Sequence, residues 1–235
     1  GLPAQDYPFL LVPSYETFHF AKPNPAFYSE FLAAIGQPDG PVLMVGNDPL
    51  SDITAARQAG LATFLVDDGV LITPDNPEST NAHKSLDDFI PWLDATPTEA
   101  LSLDTSKPQA LLANLAGTAA AMDRLGRQIP ASAWVIQPSP GEWSLVEIIC
   151  HLRDVETDVN LPRIRKVIQE SNPFLPGKDT DPWASERQYI LQDCLEALQG
   201  FLSARIELLS ILETLAPDDW QRPARHAILG PSHIQ

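Results

Sequence analysis

Positive charge is scarce in this sequence, because 15 lysines and arginines stand against 31 aspartates and glutamates, for a net charge of −16. A nucleic-acid surface needs clustered lysine and arginine, so we expect no nucleic-acid partner. With only Cys150 and Cys194, no secreted disulfide framework is expected. No apolar run reaches the ~20 residues of a membrane span, and no signal-peptide pattern is visible. These absences predict a cytoplasmic protein without a membrane partner.

Short apolar runs alternate with helical patterns over residues 8–93, which predicts βαβ units around a parallel sheet. The predicted strands cover residues 8–12, 41–46 and 62–69, and the predicted helices cover residues 24–36 and 51–60. Pro25 suits the first turn of its helix, while Gly36 and Gly60 suit helix ends.

The later part of the chain has helical spacing of apolar residues instead. The predicted helices are 109–128, 144–169 and 185–215. Ser144 and Glu147 have capping-box spacing, and Pro162 should kink or interrupt its helix. Three amphipathic helices predict an antiparallel bundle, and residues 230–235 are interpreted as the start of a fourth helix.

A segment rich in Pro, Thr and Ser separates the two patterns at residues 94–108, and we interpret it as a linker. The predicted fold is therefore α/β plus all-α, with an α/β domain at 1–93 and a helical bundle at 109–235. An incomplete bundle would expose an apolar face, so a homodimer formed through the bundle is one hypothesis.

Two carboxylates four residues apart follow the predicted strand 41–46: Asp48 and Asp52. Ligands bind beyond the carboxyl ends of parallel strands, and Mg²⁺ takes one or two carboxylates together with water and substrate oxygens. Lys22, held extended before Pro23, would offset negative charge on a phosphate. Taken alone, the two aspartates are explained about equally well by structural roles, with Asp48 as a turn residue and Asp52 as a charge at a helix N-terminus.

The motifs AKPNPAFY (21–28) and VGNDPLSDITAARQAG (45–60) resemble the haloacid dehalogenase-like (HAD) hydrolase superfamily. The resemblance implies that Lys22 contacts the nucleophile and the phosphate of a small phosphorylated substrate, and that Asp48 and Asp52 serve Mg²⁺. Asn47 stands where many members have an aspartate, so the division of the metal role among residues 47, 48 and 52 stays open.

Members of this superfamily carry an aspartate nucleophile in a DxDxT motif upstream of the lysine. No segment before Lys22 matches it, since Asp6 has no second aspartate two residues later. The first domain therefore resembles the later half of a HAD domain, whose sheet would have exposed edges. We expect this chain alone to be inactive as a hydrolase.

His151 lies among apolar residues of a capped helix, where a lone histidine is more often a core residue than a metal ligand. Asp154 could orient it. Cys150 cannot face His151, because adjacent helical residues point about 100° apart. Arg205 either points into the bundle or extends outward along its helix, and the outward orientation is slightly favoured.

Four segments resemble the DinB-like (YfiT-like) family of four-helix bundles over residues 107–235: GEWSLVEIICHLRDVE, NPFLPGKDTDPWASERQY, FLSARIELLSIL and DDWQRPARHAILGPS. Such proteins hold a divalent metal such as Zn²⁺ or Ni²⁺ with three histidines, two of them in an HxxxH pair on the last helix. His151 matches the first ligand, and the pair has no match. His226 matches a polar position that is not a ligand.

Together the resemblances imply a HAD-like, Mg²⁺-dependent phosphatase-type hydrolase joined to a divalent-metal-binding bundle, with the nucleophile motif and two bundle histidines missing from this chain. The alternative is a non-catalytic binding or dimerisation module. The retention of Lys22, Asp48 and His151 favours truncation of an active protein over decay of its sites.

Overall fold

The computed structural model describes residues 8–66 and 83–234, with the backbone alone at 83 and 84. Contacts divide the chain into two units, Gly1–Ala121 and Met122–Gln235. The division falls within helix α4, Pro108–Gln128. The predicted domain limits at residues 93 and 109 stay a prediction.

The first unit contains a parallel sheet, as predicted. Its strands are β1 (Leu43–Gly46), β2 (Ala62–Val66) and β3 (His83–Lys84), in the order β1-β2-β3. The predicted strand at 8–12 is wrong, because this segment pairs with no described strand and exposes Phe9, Leu10 and Val12. An apolar run becomes a strand only where a neighbour satisfies its backbone. Residues 67–69 of the third predicted strand lie outside the described residues.

The predicted helices of this unit are confirmed. Helix α1 (Pro25–Ala34) is capped by the Asn24 side chain, and Gly36 follows it with φ +89°. A π-helical turn, Pro49–Thr54, leads into α2 (Ala55–Gln58). Helix α3 spans Phe89–Ala95.

The core of the first unit joins α1, α2 and the start of α4. Its buried residues are Phe27, Tyr28, Leu32, Ala55, Ala56, Ala59, Leu61 and Ala113. Gly117 of α4 packs so closely that an added Cβ would lie 2.4 Å from the Glu30 amide nitrogen. In the predicted linker, Leu101 is buried and its carbonyl accepts the Val42 amide at 3.0 Å. This stretch therefore packs on the first unit.

The second unit is a helical bundle. Helix α5 (Leu145–Val155) continues through a π-helical turn, Glu156–Asn160, into α6 (Leu161–Gln169). The turn lies just before Pro162, which lacks the N–H needed for regular α-helical pairing, so the predicted interruption is confirmed. The Ser144–Glu147 capping box is also present. Helix α7 is short, Trp183–Glu186.

The long helix expected at 185–215 begins later, as α8 (Cys194–Glu213), and packs against α5. Asp193 caps α8, and Gln188 before it adopts a left-handed conformation with φ +51° that a continuous helix cannot contain. Within the described ranges, no helix is long and apolar enough to cross a membrane.

A small sheet closes the second unit. Strand β4 (Phe174–Leu175) pairs parallel with β5 (Pro223–His226), which pairs antiparallel with β6 (Gly230–His233). The helix predicted to start at residue 230 is therefore wrong. Gly230 has φ +76°, which supports a hairpin turn, and Pro231 sits in the outer strand β6, where proline is tolerated.

Candidate functional site

The structure brings Lys22 and Asp52 together. The Lys22 ammonium Nζ lies 2.7 Å from Asp52 Oδ1, and about a third of the lysine side chain, 37%, is exposed. Asp52 lies in the π-helical turn after β1, at the carboxyl end of the parallel sheet. This edge of the sheet is where the sequence places the candidate site.

Asp52 is also held by the backbone. Its Oδ2 accepts the amide N–H groups of Asn47 and Asp48, both at 3.1 Å. The carboxylate sits directly over Gly46, where an added Cβ would lie 2.4 Å from Oδ2. The absence of a side chain at Gly46 makes room for this carboxylate, a role of Gly46 that was not predicted from the sequence.

Asp48 caps the helical turn that carries Asp52. Its Oδ1 accepts the amides of Ser51 at 2.7 Å and Leu50 at 2.9 Å. These hydrogen bonds, with the Ser51 amide first, hold the pKa of Asp48 below its ordinary value. Asp48 therefore stays ionised at neutral pH.

Two aromatic rings lie near the Lys22 ammonium. The ammonium lies 5.9 Å from the Phe27 ring centroid and 5.7 Å from that of Tyr28. The Tyr28 hydroxyl donates to the Ser51 carbonyl at 2.6 Å. Burial, followed by the charges of Asp52 and Asp48, raises the pKa of Tyr28, so this phenol stays protonated. Lys22 is the cation facing the two carboxylates.

A buried carboxylate positions the segment before Lys22. Glu30 of α1 is 0% exposed and accepts the backbone amides of His19 and Phe20, each at 3.1 Å, and His19 Nδ1 lies 3.0 Å from its Oε1. This role of Glu30 was not predicted from the sequence. The available signal was a carboxylate three residues after Phe27 and two before Leu32, on the apolar face of a helix.

Lone pairs remain for a metal ion. Asp52 Oδ1 accepts the Lys22 ammonium and Asp48 Oδ1 accepts two backbone amides, whereas an ionised carboxylate offers about four acceptor positions. Mg²⁺ takes one or two carboxylates and fills its shell with water and substrate oxygens, so these oxygens fit it by their chemistry. The described residues contain no group of three or more metal-ligating side chains.

The bundle places His151 among aromatic rings. Its imidazole packs edge-on to Trp143 at 4.9 Å between centroids and lies 6.4 Å from Trp183. His151 Nδ1 is buried without a hydrogen-bond partner. His226 Nδ1 instead accepts the amides of Ile228 and Leu229 in the hairpin, which is consistent with a non-ligand role.

One histidine does not make the three-ligand centre that the DinB-like resemblance implies, since metal sites of this kind want three or four protein ligands. In the part of the chain that the structure describes, the ligands needed beside His151 are missing. The two cysteines do not take the place of these missing ligands, because their thiols are harder to ionise than ordinary thiols. Burial raises the pKa of Cys150, and it raises that of Cys194 to about 12.

Asp154, one turn after His151, is the centre of a buried network. It accepts hydrogen bonds from Arg153 at 2.7 Å, Arg187 at 2.5 Å and the Tyr189 hydroxyl at 2.8 Å. Burial alone would raise the pKa of Asp154, but these bonds outweigh burial and lower it. The Arg187 guanidinium also stacks 3.9 Å from the Trp183 ring, so the network holds that ring beside His151.

Arg205 points into the bundle, which corrects the slight preference for an outward orientation. It forms an ion pair with Glu156, whose side chain is almost fully buried, and Asn160 donates to the same carboxylate at 2.8 Å. Glu156 begins the π-helical turn before Pro162. The sequence could not place this pair because its members lie 49 residues apart.

Family models match both units. Residues 19–90 match the model described as HAD-hydrolase-like, and residues 112–234 match that of the DinB superfamily. The second match covers more than half of the chain. The chain belongs to the DinB superfamily. Its first unit is HAD-like, and both resemblances drawn from the sequence are confirmed. A search of curated proteins found no match.

A solved structure supports the fold of this DinB superfamily protein. It is similar to YfiT from Bacillus subtilis, with 16% sequence identity and a TM-score of 0.50, over 59% of this chain and 78% of YfiT. YfiT is described as a probable metal-dependent hydrolase with an unusual four-helix bundle topology. At this identity the likeness shows the bundle fold, and the predicted fold class is confirmed.

Proposed function

We propose that the HAD-like unit supplies the phosphate and Mg²⁺ site of a hydrolase acting on small phosphorylated molecules. The observation that carries this proposal is the 2.7 Å pairing of Lys22 with Asp52 at the carboxyl end of β1. The pairing joins the two matched motifs of the HAD-like segment across the fold. A cation beside two carboxylates suits an anionic substrate that arrives with a divalent cation.

Each side chain has a distinct role in this proposal. Lys22 neutralises charge on the phosphoryl oxygens, and its ammonium lies near the rings of Phe27 and Tyr28. Asp48 and Asp52 would hold Mg²⁺, which supplies charge stabilisation at the phosphoryl group when bound. Asp48 also caps the helical turn and thereby holds the Asp52 carboxylate in its position beside Lys22.

No described side chain is placed as a nucleophile. The carboxylate paired with Lys22 is Asp52, which the Asn47 and Asp48 amides immobilise, and Asp48 is committed to its cap. Tyr28 is kept protonated. We therefore propose that this chain binds phosphate but does not hydrolyse phosphate esters by itself.

The experiment measures binding and turnover on the same samples of the 235-residue chain. Calorimetric titration with orthophosphate in the presence of Mg²⁺ is expected to show binding that Lys22→Met weakens about tenfold. Lys107→Met, at an exposed lysine of the same unit, serves as the matched control. If the two variants bind orthophosphate with equal affinity, the proposed phosphate site at Lys22 is wrong.

Turnover is followed with p-nitrophenyl phosphate, and none above the blank is expected. Clear Mg²⁺-dependent turnover would overturn the claim that the nucleophile is missing. If the chain binds neither orthophosphate nor Mg²⁺, that result would favour the second hypothesis, a non-catalytic binding or dimerisation module. The observation behind that hypothesis is the exposed apolar segment that begins at Pro8.

For the bundle, we propose that His151 contributes one ligand to a divalent metal such as Zn²⁺ or Ni²⁺. Its support is the buried Nδ1 without a partner. No reaction step is assigned to this metal, because the described residues do not complete its ligand set. Equilibrium dialysis against Zn²⁺ tests the claim, and equal metal content in the wild-type chain and His151→Ala would contradict it.

A further inference from the structure

Lys22 also lines a groove beside the proposed phosphate site. The groove lies along the loop before helix α1, has a volume of about 260 Å³ and includes Phe27 of α1 in its walls. We call it the loop groove. Because Lys22 lines the loop groove and also pairs with Asp52, a ligand held by the Lys22 ammonium can extend into this groove.

Four of the side chains that line the loop groove are aromatic: Tyr15, Phe18, Phe20 and Phe27. Among the described residues, no carboxylate lines this groove and Lys22 is its single cation. Aromatic rings attract another ring through offset and edge-to-face contacts, beyond the effect of apolar area alone. The loop groove therefore suits an uncharged aromatic group that is joined to an anion at Lys22.

Hydrogen bonds and packing hold the inner rings of the loop groove in place. The Phe20 amide donates to the fully buried Glu30 carboxylate at 3.1 Å. The Phe18 amide donates to the Ser14 carbonyl at 3.0 Å. The ring centroids of Phe18 and Phe27 are 5.7 Å apart. A wall that is formed before the ligand arrives needs less ordering on binding, so these rings are a preformed surface.

Tyr15 differs from the inner rings because 90% of it is exposed. It lies in a turn in which the Thr17 amide donates to the Ser14 carbonyl at 3.1 Å. The backbone of the turn is thus held, while the Tyr15 ring is in water. Contact with a ligand ring would remove apolar surface of Tyr15 from water, which favours binding.

We propose that the phosphorylated substrate is the phosphate ester of a phenol, with its one aromatic ring in the loop groove against Tyr15 and Phe20. This inference rests on the phosphate site proposed above and adds the class of the organic group. The volume favours a single ring, because it is slightly below the ~300–1,000 Å³ that ligand sites commonly have. The Phe27 ring lies 5.9 Å from the Lys22 ammonium, so a ring bonded directly to the phosphate oxygen suits this short span.

A second, larger groove of about 430 Å³ also has Lys22 in its walls and is the alternative location for the organic group. Toward strand β1 its lining is aliphatic and includes Val42 and Met44. A saturated group would suit these aliphatic walls as well as an aromatic ring would. A preference for an aromatic ring over a saturated ring of similar size therefore separates the two locations.

Phosphonates test the proposal, because their P–C bond is not hydrolysed. Calorimetry with Mg²⁺ measures the affinity of the 235-residue chain for phenylphosphonate, cyclohexylphosphonate and methylphosphonate, at a pH where all three are dianions. Phenylphosphonate is expected to bind about tenfold more tightly than methylphosphonate and about threefold more tightly than cyclohexylphosphonate. Equal affinity for the phenyl and cyclohexyl compounds overturns the proposal.

Tyr15→Leu keeps an apolar side chain but removes the ring. It should abolish the preference for phenyl over cyclohexyl and leave the affinity for methylphosphonate unchanged. Phe174→Leu removes a ring that is 50% exposed in the second unit, and it should change none of the three affinities. A phenyl preference that survives Tyr15→Leu, or that both variants reduce equally, would place the ligand ring outside the loop groove and overturn the proposal.

The phosphate site can fail separately from the aromatic substrate. Lys22→Met should weaken the binding of all three phosphonates about tenfold. Methylphosphonate binding that depends on Lys22, without a preference for phenyl, would leave the phosphate site standing and reject the aromatic substrate. If none of the phosphonates binds, both the phosphate site and the aromatic substrate are rejected.

NMR spectroscopy places the ligand ring directly in the complex of phenylphosphonate with the unsubstituted chain. Nuclear Overhauser effects are expected between the phenyl protons and the ring protons of Tyr15 and Phe20. Effects to the side chains of Val42 and Met44 instead would place the ring in the larger groove and contradict the proposal. Because this measurement needs no substitution, it does not depend on how Tyr15→Leu affects the loop.

Discussion

The Lys22 ammonium and the Asp52 carboxylate meet at 2.7 Å across 30 residues of sequence. Lys22 comes before α1, and Asp52 follows β1, so the contact depends on how the helix packs against the sheet. Glu30 holds the segment before Lys22, and the Asn47 and Asp48 amides hold Asp52. Two separate sets of hydrogen bonds therefore position the two members of this ion pair.

Removing the Asp52 charge should reduce the affinity of the site for Mg²⁺. We expect Asp52→Asn to weaken Mg²⁺ binding about tenfold, since one of two carboxylates is lost. Asp39→Asn removes the same charge from an exposed loop of this unit and is the control. The measurement is calorimetry, and an equal loss in both variants would show that only long-range charge matters.

A methyl group at Gly46 should displace the Asp52 carboxylate. An added Cβ would lie 2.4 Å from Asp52 Oδ2, whereas one at Gly40 would meet nothing within 4 Å. Gly46→Ala is expected to lower the free energy of unfolding by about 1–3 kcal/mol, and Gly40→Ala to change it little. Urea denaturation measures both. Equal stability of the two variants would mean that the carboxylate moves aside without cost.

The buried Glu156–Arg205 pair should show strong coupling. Arg205→Met leaves Glu156 as an uncompensated charge, so a loss of about 3–5 kcal/mol is expected. Adding Glu156→Gln removes that charge and should recover part of the loss. A double-mutant cycle by chemical denaturation measures the coupling, and purely additive losses would contradict an energetically important pair.

Acid should destabilise the bundle through Asp154. Because its folded pKa is lowered, Asp154 contributes stability that is complete above the unfolded pKa near 3.8 and is lost as pH falls through the folded value. Asp154→Asn should therefore lower stability at pH 7 and flatten its fall between about pH 5 and pH 2. Asp218→Asn, at an exposed aspartate, is the control. Melting curves across this range check the prediction, and parallel pH profiles would contradict it.

Local signals in the sequence predicted much of the fold correctly. Pro25, Gly36 and Gly60 mark helix ends because their backbone preferences act within a few residues. The Ser144–Glu147 capping box is local in the same way. The expected strand at residues 8–12 and the expected helix from residue 230 failed for the opposite reason. Apolar composition alone does not say whether a pairing strand or a hairpin partner is present.

The sequence by itself determined the fold class (an α/β part and a helical bundle), the parallel sheet, and the motifs that carry Lys22, Asp48 and Asp52. These follow from periodicity and short spacings, whose physics is local. Only the tertiary structure decided that Asp52 lies over Gly46, that Glu30 anchors the segment before Lys22, and that Arg205 turns inward to Glu156. Each depends on contacts between residues distant in sequence, where packing and the need to pair buried charge select the partner.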